Sequence, residues 1–112
     1  MKHLAALTQM RKLDLEKTGV TDAGLKELAG LKKLESLNLW ETPVTDAGLK
    51  YLAGLGELRI LTLYKTGVTD AGLRQLAAFK QLRRLDVSGT HATKPGVARL
   101  RKALPACEIS AD

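Results

Sequence analysis

The chain has 112 residues, of which 45% are hydrophobic and only 4% aromatic, and a net charge of +6. That length supports one modest aliphatic core. The single cysteine, Cys107, excludes an internal disulfide and favours a reducing, cytoplasmic setting. No apolar run is long enough to cross a membrane, and the patch after Met1 is too brief for a signal peptide. The positive charge admits nucleic acid or anionic lipid as a partner, so the placement of the cations has to decide.

The chain opens in mid-unit. His3-Leu4-Ala5-Ala6-Leu7 aligns with Tyr51-Leu52-Ala53-Gly54-Leu55, the helix end of a later block. From Met10 the same block recurs at Leu34, Leu58 and Leu82, each step being 24 residues (34−10, 58−34, 82−58). Three blocks share one string: Val20-Thr21-Asp22-Ala23-Gly24-Leu25, Val44-Thr45-Asp46-Ala47-Gly48-Leu49 and Val68-Thr69-Asp70-Ala71-Gly72-Leu73. A fixed period of this length signals a solenoid whose units bury their apolar sides against one another. A single domain over 1–112 is expected, with a partial unit over 1–9, regular repeats over 10–33, 34–57 and 58–81, and a divergent repeat with a cap over 82–112.

Within each repeat the elements follow in a set order. Leu13-Asp14-Leu15, Leu37-Asn38-Leu39, Leu61-Thr62-Leu63 and Leu85-Asp86-Val87 alternate as short half-buried strands would. Thr42 and Pro43, or Gly19 and Gly67 at the same place, mark a turn. Thr45 suits a helix N-cap, and Asp46 suits the first helical turn, where the dipole favours an anion. Leu49, Leu52 and Leu55 recur at helical spacing before Gly54 and Gly56 close the segment. A strand joined through a helix to the next strand gives parallel strands. At 24 residues per unit the strands line a curved sheet and the helices its convex side. The last repeat replaces Val-Thr-Asp-Ala with Ala92-Thr93-Lys94-Pro95, has an apolar stripe of Val97, Leu100 and Leu104, and stops at Leu104-Pro105. Ile109 aligns with Leu85, which predicts a final short strand.

The pattern Leu34-x-x-Leu37-x-Leu39-x-x-Thr42-x-Val44-Thr45-Asp46-Ala47-Gly48-Leu49 resembles the leucine-rich-repeat superfamily, most nearly the cysteine-containing subclass seen in F-box proteins and in bacterial 24-residue repeat proteins. That subclass often has Cys where this chain has Thr18, Thr42, Thr66 and Thr90. The resemblance implies a right-handed α/β horseshoe of about four repeats. It says little about function, because the superfamily is defined by its scaffold. The stacked threonine hydroxyls are expected to bond the backbone of the adjacent repeat.

Nothing in the sequence points to an enzyme. His3 and His91 lie far apart, and neither forms a trusted ligand pattern with Cys107, so no metal or other cofactor is expected. Asp14 and Asp86 share a strand position but lie three strands apart, roughly 14 Å. The informative positions are those beside the buried strand leucines, because they change from repeat to repeat. They run Lys12, Ser36, Ile60, Arg84; then Asp14, Asn38, Thr62, Asp86; then Glu16, Trp40, Tyr64, Ser88; then Lys17, Glu41, Lys65, Gly89. Trp40 and Tyr64 fall on neighbouring strands and are expected to anchor a protein or peptide on the concave face, or else to stack and merely cover the sheet. Asn38, Thr62, Glu41, Lys65, Ile60 and Glu16 would surround them. Lys17, Glu41 and Lys65 also read as a solvated charge ladder.

Among these sixteen positions Lys12, Lys17, Lys65 and Arg84 balance Asp14, Glu16, Glu41 and Asp86, so nucleic acid is an unlikely ligand for the face. Two other readings stand beside protein binding. One is a structural fragment of a larger repeat protein. The other is anion or nucleic-acid binding through a basic edge of Arg83, Arg84, Lys94 and Arg101. The uncapped edge near Met10 and Leu13 further predicts self-association.

Overall fold

The computed structural model describes residues 9–112. The partial unit expected over 1–9, with His3, therefore lies outside the described residues except for Gln9. Five three-residue strands, β1 (Lys12–Asp14), β2 (Ser36–Asn38), β3 (Ile60–Thr62), β4 (Arg84–Asp86) and β5 (Glu108–Ser110), form one sheet in chain order. All pairs are parallel, and the register advances by one repeat at each step: Leu13 faces Leu37, then Leu61, Leu85 and Ile109. Between the strands run α1 (Asp22–Leu28), α2 (Asp46–Leu49) with a 3-10 turn over Lys50–Leu52, α3 (Asp70–Leu76) and α4 (Lys94–Ala103). The final strand predicted from Ile109 is β5.

The core lies between sheet and helices. Leu37 and Leu61 in the strands, Leu39 and Leu63 just after them, helical Leu25 and Leu49, and Leu31, Leu34, Leu55 and Leu58 from the connections are all fully buried. Since each repeat contributes the same apolar positions, the core is a stack of nearly identical layers, held by burial of aliphatic surface.

Two features of the sequence act differently from expectation. The Thr18, Thr42, Thr66 and Thr90 hydroxyls donate to the carbonyls of Leu15, Leu39, Leu63 and Val87, three residues back in their own repeat, at 2.7–2.8 Å. They close the turn off each strand and do not reach the adjacent repeat. The tight turn brings a local carbonyl within reach first, and a short hydroxyl side chain takes it.

The side-chain bonds that recur identically from repeat to repeat across the junctions come from the aspartates. Asp22 accepts from the Thr45 backbone N–H at 2.8 Å and from its hydroxyl at 2.5 Å. Asp46 does the same for Thr69, and Asp70 for Thr93, at the same distances. Thr45 occupies the N-cap position of α2 in extended conformation and donates its hydroxyl proton to Asp22, but its oxygen accepts no cap bond from the helix. Thr69 and Thr93 combine both roles, accepting from Ala71 and Gly96 N–H groups at 3.2 Å.

The glycine of the shared string completes the junction. A Cβ at Gly48, Gly72 or Gly96 would collide with the carboxylate of Asp22, Asp46 or Asp70. Aspartate therefore reaches forward, while threonine and glycine receive from behind. The fourth repeat keeps Thr93 and Gly96 but has Lys94 in place of aspartate. Past β5, the Asp112 carboxylate accepts from Gly89 N–H at 2.8 Å, where the N–H groups of Lys17, Glu41 and Lys65 meet backbone carbonyls of the next repeat.

Candidate functional site

The concave rows are set by the turn that ends each strand. Asp14, Asn38 and Asp86 accept, through a side-chain oxygen, from the N–H two residues on, at Glu16, Trp40 and Ser88, at 2.9–3.0 Å. The next residue is left-handed in every repeat, with φ of 55° at Lys17, 54° at Glu41, 58° at Lys65 and 71° at Gly89. An Asx-type bond followed by a left-handed residue turns the chain off the sheet. Asn38, expected as a contact residue, thus spends its oxygen on holding the Trp40 backbone.

Trp40 and Tyr64 lie side by side and half-buried. Their ring centroids are 5.6 Å apart and tilted by 48°. Lys17 Nζ sits 4.9 Å from the Trp40 ring centre, and Lys65 Nζ 5.4 Å from that of Tyr64. Lys65 also lies 3.8 Å from Glu41, so part of the charge ladder forms, while Lys17 turns to the indole. The two rings pack against each other at this tilt, an arrangement that aromatic pairs favour. The indole Nε1 of Trp40 is buried without a hydrogen-bond partner among the described residues. Glu16 stands exposed on the β1 side of this pair.

An open cavity of about 460 Å³ lies over β3, β4 and β5, lined chiefly by Ile60, Thr62, Arg84, Asp86, Glu108 and Ser110. Ile60 and Thr62 are the expected site residues that border it; Trp40, Tyr64, Asn38, Glu41, Lys65 and Glu16 lie beside it, off its lining. Sequence reasoning passed over Arg84 and Asp86 as site residues and left Glu108 and Ser110 off the face altogether. The alignment of Ile109 with Leu85 was the signal that its two neighbours extend the rows. With Glu108 included, the face holds four cations (Lys12, Lys17, Lys65, Arg84) against five carboxylates (Asp14, Glu16, Glu41, Asp86, Glu108), a net charge of −1. Balance therefore gives way to a modest acidic excess on a chain of net charge +6.

Three of the four residues expected at a basic edge divide between two places. Lys94 and Arg101 border a second depression of about 440 Å³ at the β5 end, with Val87, Val97 and Ala111. Arg84 faces the concave cavity instead, 3.7 Å from Glu108. Arg83 influences Cys107, whose thiol is pushed above its ordinary pKa by burial and by Glu108, with Arg83 opposing. The Asp70 carboxyl is held below its usual range by the two bonds from Thr93, helped by Arg99 and Arg74 and opposed by desolvation. His91 is exposed at its turn, and its backbone N–H donates to Val68. Among the described residues no three His, Cys, Asp or Glu side chains gather as a metal-binding group, and no helix is long and apolar enough to cross a membrane.

These features define an α/β leucine-rich-repeat solenoid. The Leucine Rich repeat family pattern matches residues 6–29 and 30–53. The structure is similar to internalin C2 of Listeria monocytogenes, with 29% identity and a TM-score of 0.77 over 97% of this chain and 44% of that one. It is also similar to a leucine-rich-repeat protein of Leptospira interrogans, with 22% identity and a TM-score of 0.66 over 98% of this chain and 33% of that one. The Mex67:Mtr2 subunits of Chaetomium share 18% identity and a TM-score of 0.75, over 97% of this chain and 86% of theirs. The last two likenesses concern the fold alone. No curated protein matches the chain. Together the matches and the geometry support the leucine-rich-repeat superfamily. The chain spans less than half the length of the internalin and Leptospira proteins it resembles.

Proposed function

We propose that the chain is a non-enzymatic recognition module that holds a protein or peptide segment on its concave face. One observation carries this reading: the exposed positions of that face differ from repeat to repeat, and they include two adjacent aromatics and the exposed Ile60. Large side chains on the solvent side of a sheet fill no core, and aromatic anchors ringed by polar contacts are the usual centre of a binding surface. Trp40 and Tyr64 serve as anchors. Glu41, Lys65, Thr62, Ile60 and Glu16 make surrounding contacts, and Asn38 contributes through its amide NH₂ and by fixing Trp40. The single-domain division, with repeats beginning at residues 10, 34, 58 and 82, belongs to the same reading, as does a cytoplasmic setting. The threonine row stands for the cysteine row of the F-box-type subclass, with the hydroxyl closing the turn.

The test is a Trp40→Ala/Tyr64→Ala variant in a partner-capture assay. Loss of the bound partner with the melting transition retained supports the concave site; undiminished capture overturns it. Steep loss of binding with salt would instead favour the electrostatic reading through the basic edge. Among the described residues β1 is an outer strand of the sheet, which supports self-association through that edge. Sedimentation equilibrium tests this, with Trp40→Ala as the control for pairing through the aromatics.

A further inference from the structure

We infer that the cavity over β3–β5 seats a lysine or arginine side chain presented by an extended partner segment. This rests on the concave face being a binding surface, and it adds the chemistry of what that surface selects.

The shape and lining come first. The cavity, about 460 Å³ and open, has Ile60 on one side and the carboxylates of Asp86 and Glu108 on the other. Ile60, at 40% exposure, is the large hydrophobic residue left exposed among the described residues. A long aliphatic stem with a cationic head fits such a lining: the stem covers the isoleucine and the head reaches the carboxylates.

The hydrogen bonding leaves those carboxylates available. Asp86 uses Oδ1 for the Ser88 N–H, and Oδ2 makes no bond among the described residues. Glu108 faces Arg84 at 3.7 Å, beyond hydrogen-bond reach, and both side chains are 72% exposed. Such a loose surface pair yields readily to a competing cation. An anionic side chain would meet one guanidinium against two carboxylates.

The charge distribution agrees. The concave face carries −1 while the whole chain carries +6, which leaves +7 on the rest of the chain (6+1). A cationic segment is therefore drawn to this face and repelled by the others. The β3 strand joins the two parts of the surface, since Ile60 and Thr62 line the cavity and Tyr64 stands just beyond. A segment crossing the strands can place a basic residue in the cavity and an apolar one on the aromatics.

The experiment is affinity selection of the full chain against a fully degenerate synthetic peptide library, repeated with Asp86→Asn/Glu108→Gln and with Arg84→Gln. Asparagine at 86 keeps the turn, as Asn38 does in β2, and a thermal melt checks the fold. The expected result is enrichment of lysine or arginine at one position. The best such peptide should bind about tenfold more weakly to the double variant, and equally or more tightly to Arg84→Gln. Peptides retained without basic enrichment, or a basic peptide indifferent to the double variant, overturn the inference while leaving the concave surface in place. Weaker binding to Arg84→Gln assigns the cavity to an acidic side chain and also overturns it. Retention of no peptide by a chain that stays monomeric overturns both readings. Concentration-dependent dimers lost in the double variant, with no peptide retained, assign the cavity to a second copy of the chain and overturn the inference alone.

Discussion

The junctions between repeats and the concave face share one period and follow opposite rules. At the junctions, Asp22, Asp46 and Asp70 meet Thr45, Thr69 and Thr93 with the same distances three times over. On the face, a tryptophan neighbours a tyrosine, and a serine, an isoleucine and an arginine share one row. A junction must fit both the unit before and the unit after, so a change on one side strands its partner on the other. A face residue answers mainly to solvent or ligand.

Substitutions separate the two regions. Leu61→Ala, a fully buried position of the central strand, is expected to cost about 2–5 kcal/mol by chemical denaturation. A loss well under this range would mean that the layers are loosely coupled. Asp46→Ala removes two bonds and leaves the Thr69 N–H without its acceptor, for an expected cost of about 1–3 kcal/mol. If it costs no more than a face residue, the contrast between the regions fails. Trp40→Ala should cost about 1 kcal/mol or less in stability, because only part of the ring is buried, yet it should abolish partner binding. Lys65→Ala, an exposed change, should fall within about 0.5 kcal/mol of the parent.

Acid titration with a matched variant addresses one of the junctions. The Asp70 carboxyl is held below its usual range by Thr93, so the folded state binds its proton less readily than the unfolded chain. Its contribution is full above an unfolded value of about 3.9 and is lost as pH falls through the lower folded value. Asp70→Asn should flatten that part of the acid-unfolding curve and leave the curve near neutrality unchanged in shape. Equal slopes below pH 4 in both proteins would remove Asp70 from the account.

The sequence made the strands, their order and the closing strand at Ile109 readable because each was marked by a periodic leucine or its equivalent. It also located Trp40 and Tyr64 on neighbouring strands. The partners of the polar repeats were harder to read. Threonine and aspartate both recur at 24-residue spacing, and periodicity alone does not tell whether a side chain bonds within its own turn or across to the next unit. Local geometry decides that, and it reversed the expected assignment: Thr42 bonds inside its repeat and Asp46 reaches outside. Glu108 and Ser110 escaped notice as face residues because β5 lacks the leucine framing of the other strands, and the charge of the face shifted once they were counted.

The forward-reaching aspartate gives the solenoid a direction of assembly. Units bearing it are interchangeable: one taken from the middle of the chain offers an acceptor ahead and a threonine–glycine seat behind, so duplicating or deleting a whole regular unit leaves every interior joint of the same kind. The fourth unit is different in kind. It receives a carboxylate from Asp70 but presents the ammonium of Lys94 where the others present an acceptor. A regular unit placed after it would find no acceptor for its threonine, which makes Lys94→Asp the minimal change for extending the array by engineering.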